Sequence, residues 1–120
     1  MHNFKELKVW QKSVDFAVLI YQLTSKFPSE EKYGLTSQMR RAGVSIPSNI
    51  AEGCAKSSQR SFSNALEISL GESFELETQQ EISKRNGLIA EHQINDMNSS
   101  LTEIHKNDHG SKIHSTIVYV

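Results

Sequence analysis

One hundred and twenty residues, 37% of them hydrophobic and 22% charged, suffice for one compact domain and leave too little for two with separate cores. Thirteen Lys and Arg against fourteen Asp and Glu give a formal charge of -1, which excludes a uniformly polybasic nucleic-acid binder. A single cysteine, Cys54, excludes an internal disulfide framework and any site built from several thiolates.

The charge is uneven along the chain. Residues 1–60 hold nine basic and five acidic groups, and residues 61–120 hold four and nine, so the two halves attract each other. Lys5, Glu6, Lys8, Lys12 and Asp15 occupy the stretch where a signal peptide needs an unbroken apolar run. The strongest apolar run, near residues 16–23, is less than half of the roughly 20 residues a membrane helix requires. The expectation is a cytoplasmic protein with no membrane partner.

Residues 4–27 contain no Gly or Pro, and Leu7, Trp10, Val14, Ala17 and Tyr21 recur at alternating steps of three and four, the period of a bundle helix. Phe16, Leu19, Ile20, Leu23 and Phe27 form a second stripe, so this first helix buries more than one face. Pro28 and Ser29 stop it, and Glu30 and Glu31 follow where carboxylates favour the first turn of another helix. Leu35, Met39, Ala42, Ile46 and Ile50 predict the second helix, kinked at Pro47, whose ring removes the bond to the fourth preceding carbonyl.

Gly53 with Lys56, Ser57 and Ser58 supplies a stop and a cap before Phe62, Leu66, Ser69, Ser73 and Leu76 begin the third helix. Ala65, Ser69, Gly71 and Ser73 keep it small enough for a second helix to approach closely. Asn86 and Gly87 end it, and Ile94, Met97, Leu101 and Ile104 mark the fourth. After Lys106, the residues Asn107, Asp108, His109 and Gly110 break the pattern, and Ile117, Val118, Tyr119 and Val120 are β-prone. Connections of a few residues force sequential helices antiparallel. The expected fold is all-α: an antiparallel up-down-up-down four-helix bundle over residues 1–106, with an irregular C-terminal tail over residues 107–120 that is a candidate for disorder.

Particular segments also carry a resemblance. Phe4-Lys5-Glu6-Leu7-Lys8-Val9-Trp10, Phe27-Pro28, Tyr33-Gly34-Leu35, Gln38-Met39-Arg40-Arg41-Ala42, Ser45-Ile46-Pro47-Ser48-Asn49-Ile50-Ala51-Glu52-Gly53, Gly71-Glu72-Ser73 and Glu75-Leu76-Glu77-Thr78 resemble a small four-helix-bundle protein family. That family was first associated with intervening sequences in large-subunit rRNA genes. The segment from Ser45 to Gly53 is the most specific, and the fourth helix matches by pattern. The resemblance implies a bundle that assembles into a homopentamer, similar in fold to the accessory variability protein of diversity-generating retroelements. That relative binds nucleic acid and a reverse transcriptase. Most family members have no assigned biochemical activity. Members continue the fourth helix with further apolar residues, where this chain has Asn107, Asp108, His109 and Gly110.

Arg40 and Arg41 lie about 100° apart around a helix, so they serve different surfaces and one turns inward. If the second and third helices fold back near residues 56 and 57, Arg41 meets Glu72, with Glu75 one turn further. A charge-assisted contact across the bundle follows, and a cationic binding spot is the alternative. Ser45, Ser48, Asn49 and Glu52 surround Pro47, where small polar groups satisfy orphaned carbonyls or, alternatively, line a pore, a subunit boundary or a ligand site. Arg41, Ser45, Asn49, Glu52, Glu72 and Glu75 are therefore the candidate structural polar core.

Lys8, Lys12, Arg40, Lys56 and Arg60, joined by Lys5, are the candidate nucleic-acid-binding cations, and repetition around a ring would multiply their effect. His105 and His109 have a spacing that suits zinc, with His92 and His114 nearby, but the glutamates of zinc and di-metal helix motifs are missing. Cys54 has no evident base, Glu52 and Glu75 no sugar cleft, and no phosphate-binding loop or nucleophile elbow occurs. The expectation is a protein that is not an enzyme and has no metal or cofactor. One reading is a nucleic-acid-associated accessory module contacting RNA or DNA phosphates, with a reverse transcriptase or another protein as further partner. The other is a protein–protein scaffold, which salt would disturb much less.

Overall fold

A computed structural model describes the backbone of residues 3–113 and the side chains of residues 3–104. Four helices carry it: α1 (Lys8–Thr24), α2 (Leu35–Cys54), α3 (Gln59–Arg85) and α4 (Glu91–Ile113). Short 3-10 turns at Phe4–Glu6 and Ser29–Glu31 precede α1 and α2. No strand occurs among the described residues.

The first helix is shorter than the unbroken stretch of residues 4–27 suggests, because its ends are decided by capping. Asn3 Oδ1 accepts from the Lys5 N–H at 3.2 Å, and Leu7 is extended at φ -76° and ψ 125°, so α1 starts at Lys8. At the other end the Phe27 N–H turns back to the Thr24 carbonyl at 3.0 Å, leaving Phe27 to pack on the core from outside the helix. The second apolar stripe faces inward: Phe16, Ile20 and Leu23 are buried, while Tyr21 of the first stripe is exposed.

Glu30 and Glu31 lie on the second 3-10 turn and not inside α2, yet Glu31 Oε1 still accepts from the Leu35 N–H at 3.4 Å. Pro47 is buried and does not interrupt α2, which continues to Cys54. Side chains serve the carbonyls just before it: Ser69 Oγ donates to Ile46 O at 3.2 Å, and Asn49 Nδ2 to Ser45 O at 2.8 Å.

Ser58 caps α3 by accepting from the Ser61 N–H at 3.1 Å. Gly87, at φ +76°, closes it, with the Leu88 N–H donating to Ser83 O at 2.9 Å. α4 does not break after Lys106. It runs on through Asn107, Asp108, His109 and Gly110 to Ile113, because a glycine without a proline costs an interior helix only about 1 kcal/mol. The predicted tail therefore loses residues 107–113 to the helix, and the β-prone end at residues 117–120 lies outside the described residues.

Side-chain bonds join Arg40 near the start of α2 to Thr24 at the end of α1, and Gln80 near the end of α3 to Asn98 in the first half of α4. This is consistent with the antiparallel order. Between the helices Phe16, Ile20, Met39, Ile46, Leu66, Leu76, Met97 and Leu101 are each at most 2% exposed. Full burial of such a side chain contributes about 1.5–3 kcal/mol, which outweighs the modest propensity of these helices.

Candidate functional site

The connection from α1 to α2 builds the most distinctive surface. Gly34 follows the second 3-10 turn, its N–H donating to Glu31 O at 3.0 Å, and the tight path leaves the preceding Tyr33 87% exposed. Beside it runs an open groove of about 600 Å³ between α1 and α2. Lys32, Arg40 and Arg41 line it together with Tyr21, Tyr33 and the hydroxyls of Thr36, Ser37, Ser45 and Ser48. No carboxylate is among the lining residues.

Arg40 is held firmly. Its Nε donates to Thr24 Oγ1 at 2.8 Å, Nη2 reaches Tyr21 O at 3.4 Å, and the guanidinium lies 4.5 Å from the centre of the Tyr21 ring. Arg41, one position on, turns across to α3, where Nη2 meets Glu75 Oε1 at 3.4 Å. Arg40 is thus the arginine that turns inward. Arg41, placed by its sequence in a polar core, lies on the surface with 64% of its side chain exposed, and its partner is Glu75 and not Glu72. Lys32 Nζ sits 5.4 Å from the centre of the Tyr33 ring.

Of the five cations singled out in the sequence, four share one end of the bundle and Arg40 lies toward the other. Lys8 and Lys12 begin α1, Lys56 and Arg60 flank the α2–α3 connection, and these four fall at the end of the bundle away from Arg40. Lys12 is paired with Glu103 of α4 at 2.5 Å. Lys56 shares a smaller groove of about 290 Å³ with Asn49, Glu52 and Ile68. Glu52 is exposed there, and Ser45 and Asn49 are half-buried on the same helix. Glu72 is half-buried with one carboxylate oxygen lacking a partner.

Sequence reasoning missed Tyr21, Lys32 and Tyr33 as a group. It also missed the polar residues that are buried: Ser13, Thr24, Gln79, Gln80 and Ser83. Most of the hydroxyls are satisfied locally, Ser13 Oγ donating to Val9 O at 2.5 Å and Thr24 Oγ1 to Ile20 O at 2.7 Å. The signal for Gln80 and Ser83 was present, since they continue the four-three spacing of Phe62, Leu66, Ser69, Ser73 and Leu76. His92 is exposed, and the side chains of His105, His109 and His114 lie outside the described residues. Among the described residues no three His, Cys, Asp or Glu are grouped as metal ligands. Cys54 is 2% exposed, and burial pushes its thiol above the ordinary range, the opposite of an activated nucleophile. Among the described residues no helix is long and apolar enough to cross a membrane.

Fold and surface together define an all-α, four-helix protein whose most developed feature is a basic, tyrosine-bearing groove. The chain belongs to the 23S rRNA-intervening sequence protein family, whose model matches residues 5–109. It is also similar to a solved structure, a protein of unknown function from the S23 ribosomal protein family of Bacteroides thetaiotaomicron. The two are 32% identical with a TM-score of 0.78, over 87% of this chain and 97% of that one. None of the curated proteins matches the chain.

Proposed function

We propose that the protein is a non-enzymatic, self-associating accessory module that holds single-stranded RNA or DNA in the groove between α1 and α2. The observation that carries this reading is the lining of that groove: three cations, two exposed tyrosines and no carboxylate. Cations track the phosphates, and an exposed ring gives a base a stacking platform worth about 1–3 kcal/mol. The serine and threonine hydroxyls add sugar and phosphate contacts that carry little sequence information. The formal charge of -1 does not oppose this, because the acidic excess belongs to residues 61–120.

Self-association is supported by α3. Ile68 and Ile82 are exposed and lie within about 40° of each other around the helix, with exposed Gly71 and Thr78 between them. Such a face suits contact between copies, and the family resemblance makes a homopentamer the expected form. A ring would repeat the groove and raise its affinity for a long polyanion. A buried, unreactive Cys54 suits a packing role over catalysis and a reducing, cytoplasmic setting.

The test is anisotropy of a labelled single-stranded oligonucleotide at about 50 and 200 mM salt, where three neutralised phosphates give a log–log slope near -2. Tyr33→Ala should lower affinity about 5- to 100-fold, the equivalent of one lost stack. Binding that ignores both salt and Tyr33 would remove the nucleic-acid reading and leave the protein–protein scaffold.

A further inference from the structure

A second groove, of about 460 Å³, lies between α3 and α4 on the opposite side of the bundle from the basic one. Glu77 and Glu81 line it, with Phe74, Gln80 and Asn98, and it holds no cation. Gln80 is only 1% exposed. Its Nε2 donates to Asn98 Oδ1 at 3.0 Å, while its Oε1 has no hydrogen-bond partner. A buried amide oxygen is seldom left unsatisfied, so this groove is short of one donor. Phe74 is 53% exposed beside it. Glu77 makes no ion pair among the described residues, and Glu81 accepts from Arg85 Nε at 2.9 Å.

The complementary group needs several N–H donors on a stem that can lie against an aromatic ring. An arginine side chain has both, with a planar fork that can address an amide oxygen and a carboxylate together. We propose that the α3–α4 groove docks a basic segment of a partner protein, whose arginine lies over Phe74 and donates to Gln80 Oε1 and to Glu77. A nucleic acid would be repelled by the two carboxylates. A second copy fits poorly, because the chain's own arginine-rich surface is itself concave.

The test is a fluorescein-labelled helical peptide with one arginine per turn, titrated into the full chain and followed by anisotropy. An otherwise identical peptide with citrulline in place of arginine keeps the shape and loses the charge. The arginine peptide should bind and the citrulline peptide should not. Glu77→Gln with Glu81→Gln, which removes charge at nearly constant volume, should weaken binding about ten-fold. Gln80→Leu should weaken it about five-fold while leaving the unfolding midpoint unchanged or raised, since an unsatisfied buried oxygen disappears. A merely structural Gln80 would do the reverse, losing midpoint and keeping the peptide. Equal binding of both peptides, or wild-type affinity in both variants, overturns the proposal. So does full displacement by spermine at matched charge, which would make a free polyamine the occupant, or dissociation of an oligomer by the Glu77→Gln, Glu81→Gln pair, which would make it a second copy.

Discussion

The same methyl group, added at two buried glycines of α2, should move stability in opposite directions. At Gly43 a new Cβ meets Ile20 Cβ and Cγ1 at 3.7 Å and Ala17 Cα at 3.8 Å, which is ordinary van der Waals contact. Gly43→Ala therefore keeps the helix propensity gain of about 0.8–1.0 kcal/mol. At Gly53 the new Cβ would stand 2.8 Å from Ala65 Cβ and 3.0 Å from Phe62 Cδ1. Ala65 Cβ is fixed to the α3 backbone and cannot swing away, so α2 and α3 must move apart, and overpacking of this kind costs about 1–3 kcal/mol. Propensity offsets little of that in the last turn of a helix, leaving Gly53→Ala about 1–2 kcal/mol less stable than wild type. Urea unfolding followed by circular dichroism, at one fixed protein concentration, should place the two variants about 2–3 kcal/mol apart. A Gly53→Ala protein as stable as Gly43→Ala would refute the close approach of α2 to α3 as the reason for that glycine.

Arg40→Ala should destabilise the chain by about 1–2 kcal/mol in the same assay, since it removes the bond to Thr24 and the contact with the Tyr21 ring. Arg41→Ala should change stability by less than about 1 kcal/mol, because its pair with Glu75 is exposed, yet it should weaken oligonucleotide binding. Cys54 should resist a thiol reagent until the protein unfolds. Burial raises its thiol, so the stability this contributes is present below the ordinary thiol range and is lost as pH rises above it; the urea midpoint should fall more steeply with alkaline pH in wild type than in Cys54→Ala. Slowed amide exchange at residues 107–110 would confirm the continuation of α4, and exchange at the rate of free peptide would contradict it.

The apolar stripes were legible because burial follows the helical period. Met39, Ala42, Ile46 and Ile50 are all fully buried, as their spacing predicts. Boundaries were less legible, because single capping groups decide them: Leu7 and Thr24 sit inside the predicted first helix, and one is its N-cap and the other its last residue. The Arg41–Glu75 contact lay within reach of the expected antiparallel turn, although the register pointed first to Glu72. The groove was hidden for a different reason. Arg40 was chosen for its charge, but its surroundings depend on Tyr21 and Thr24, which reach it only when α1 packs on α2. Tyr33 belonged to no stripe, and the four-three series read for α3 stops at Leu76, short of Gln80 and Ser83.

The most direct measurement is ultraviolet cross-linking of a photoreactive single-stranded oligonucleotide to the protein, with the adducts mapped by mass spectrometry. The account predicts adducts on Tyr33 and on neighbouring residues of the α1–α2 groove, reduced by added salt. Adducts confined to the Lys8, Lys56 and Arg60 end of the bundle, or no adducts at all, would contradict it.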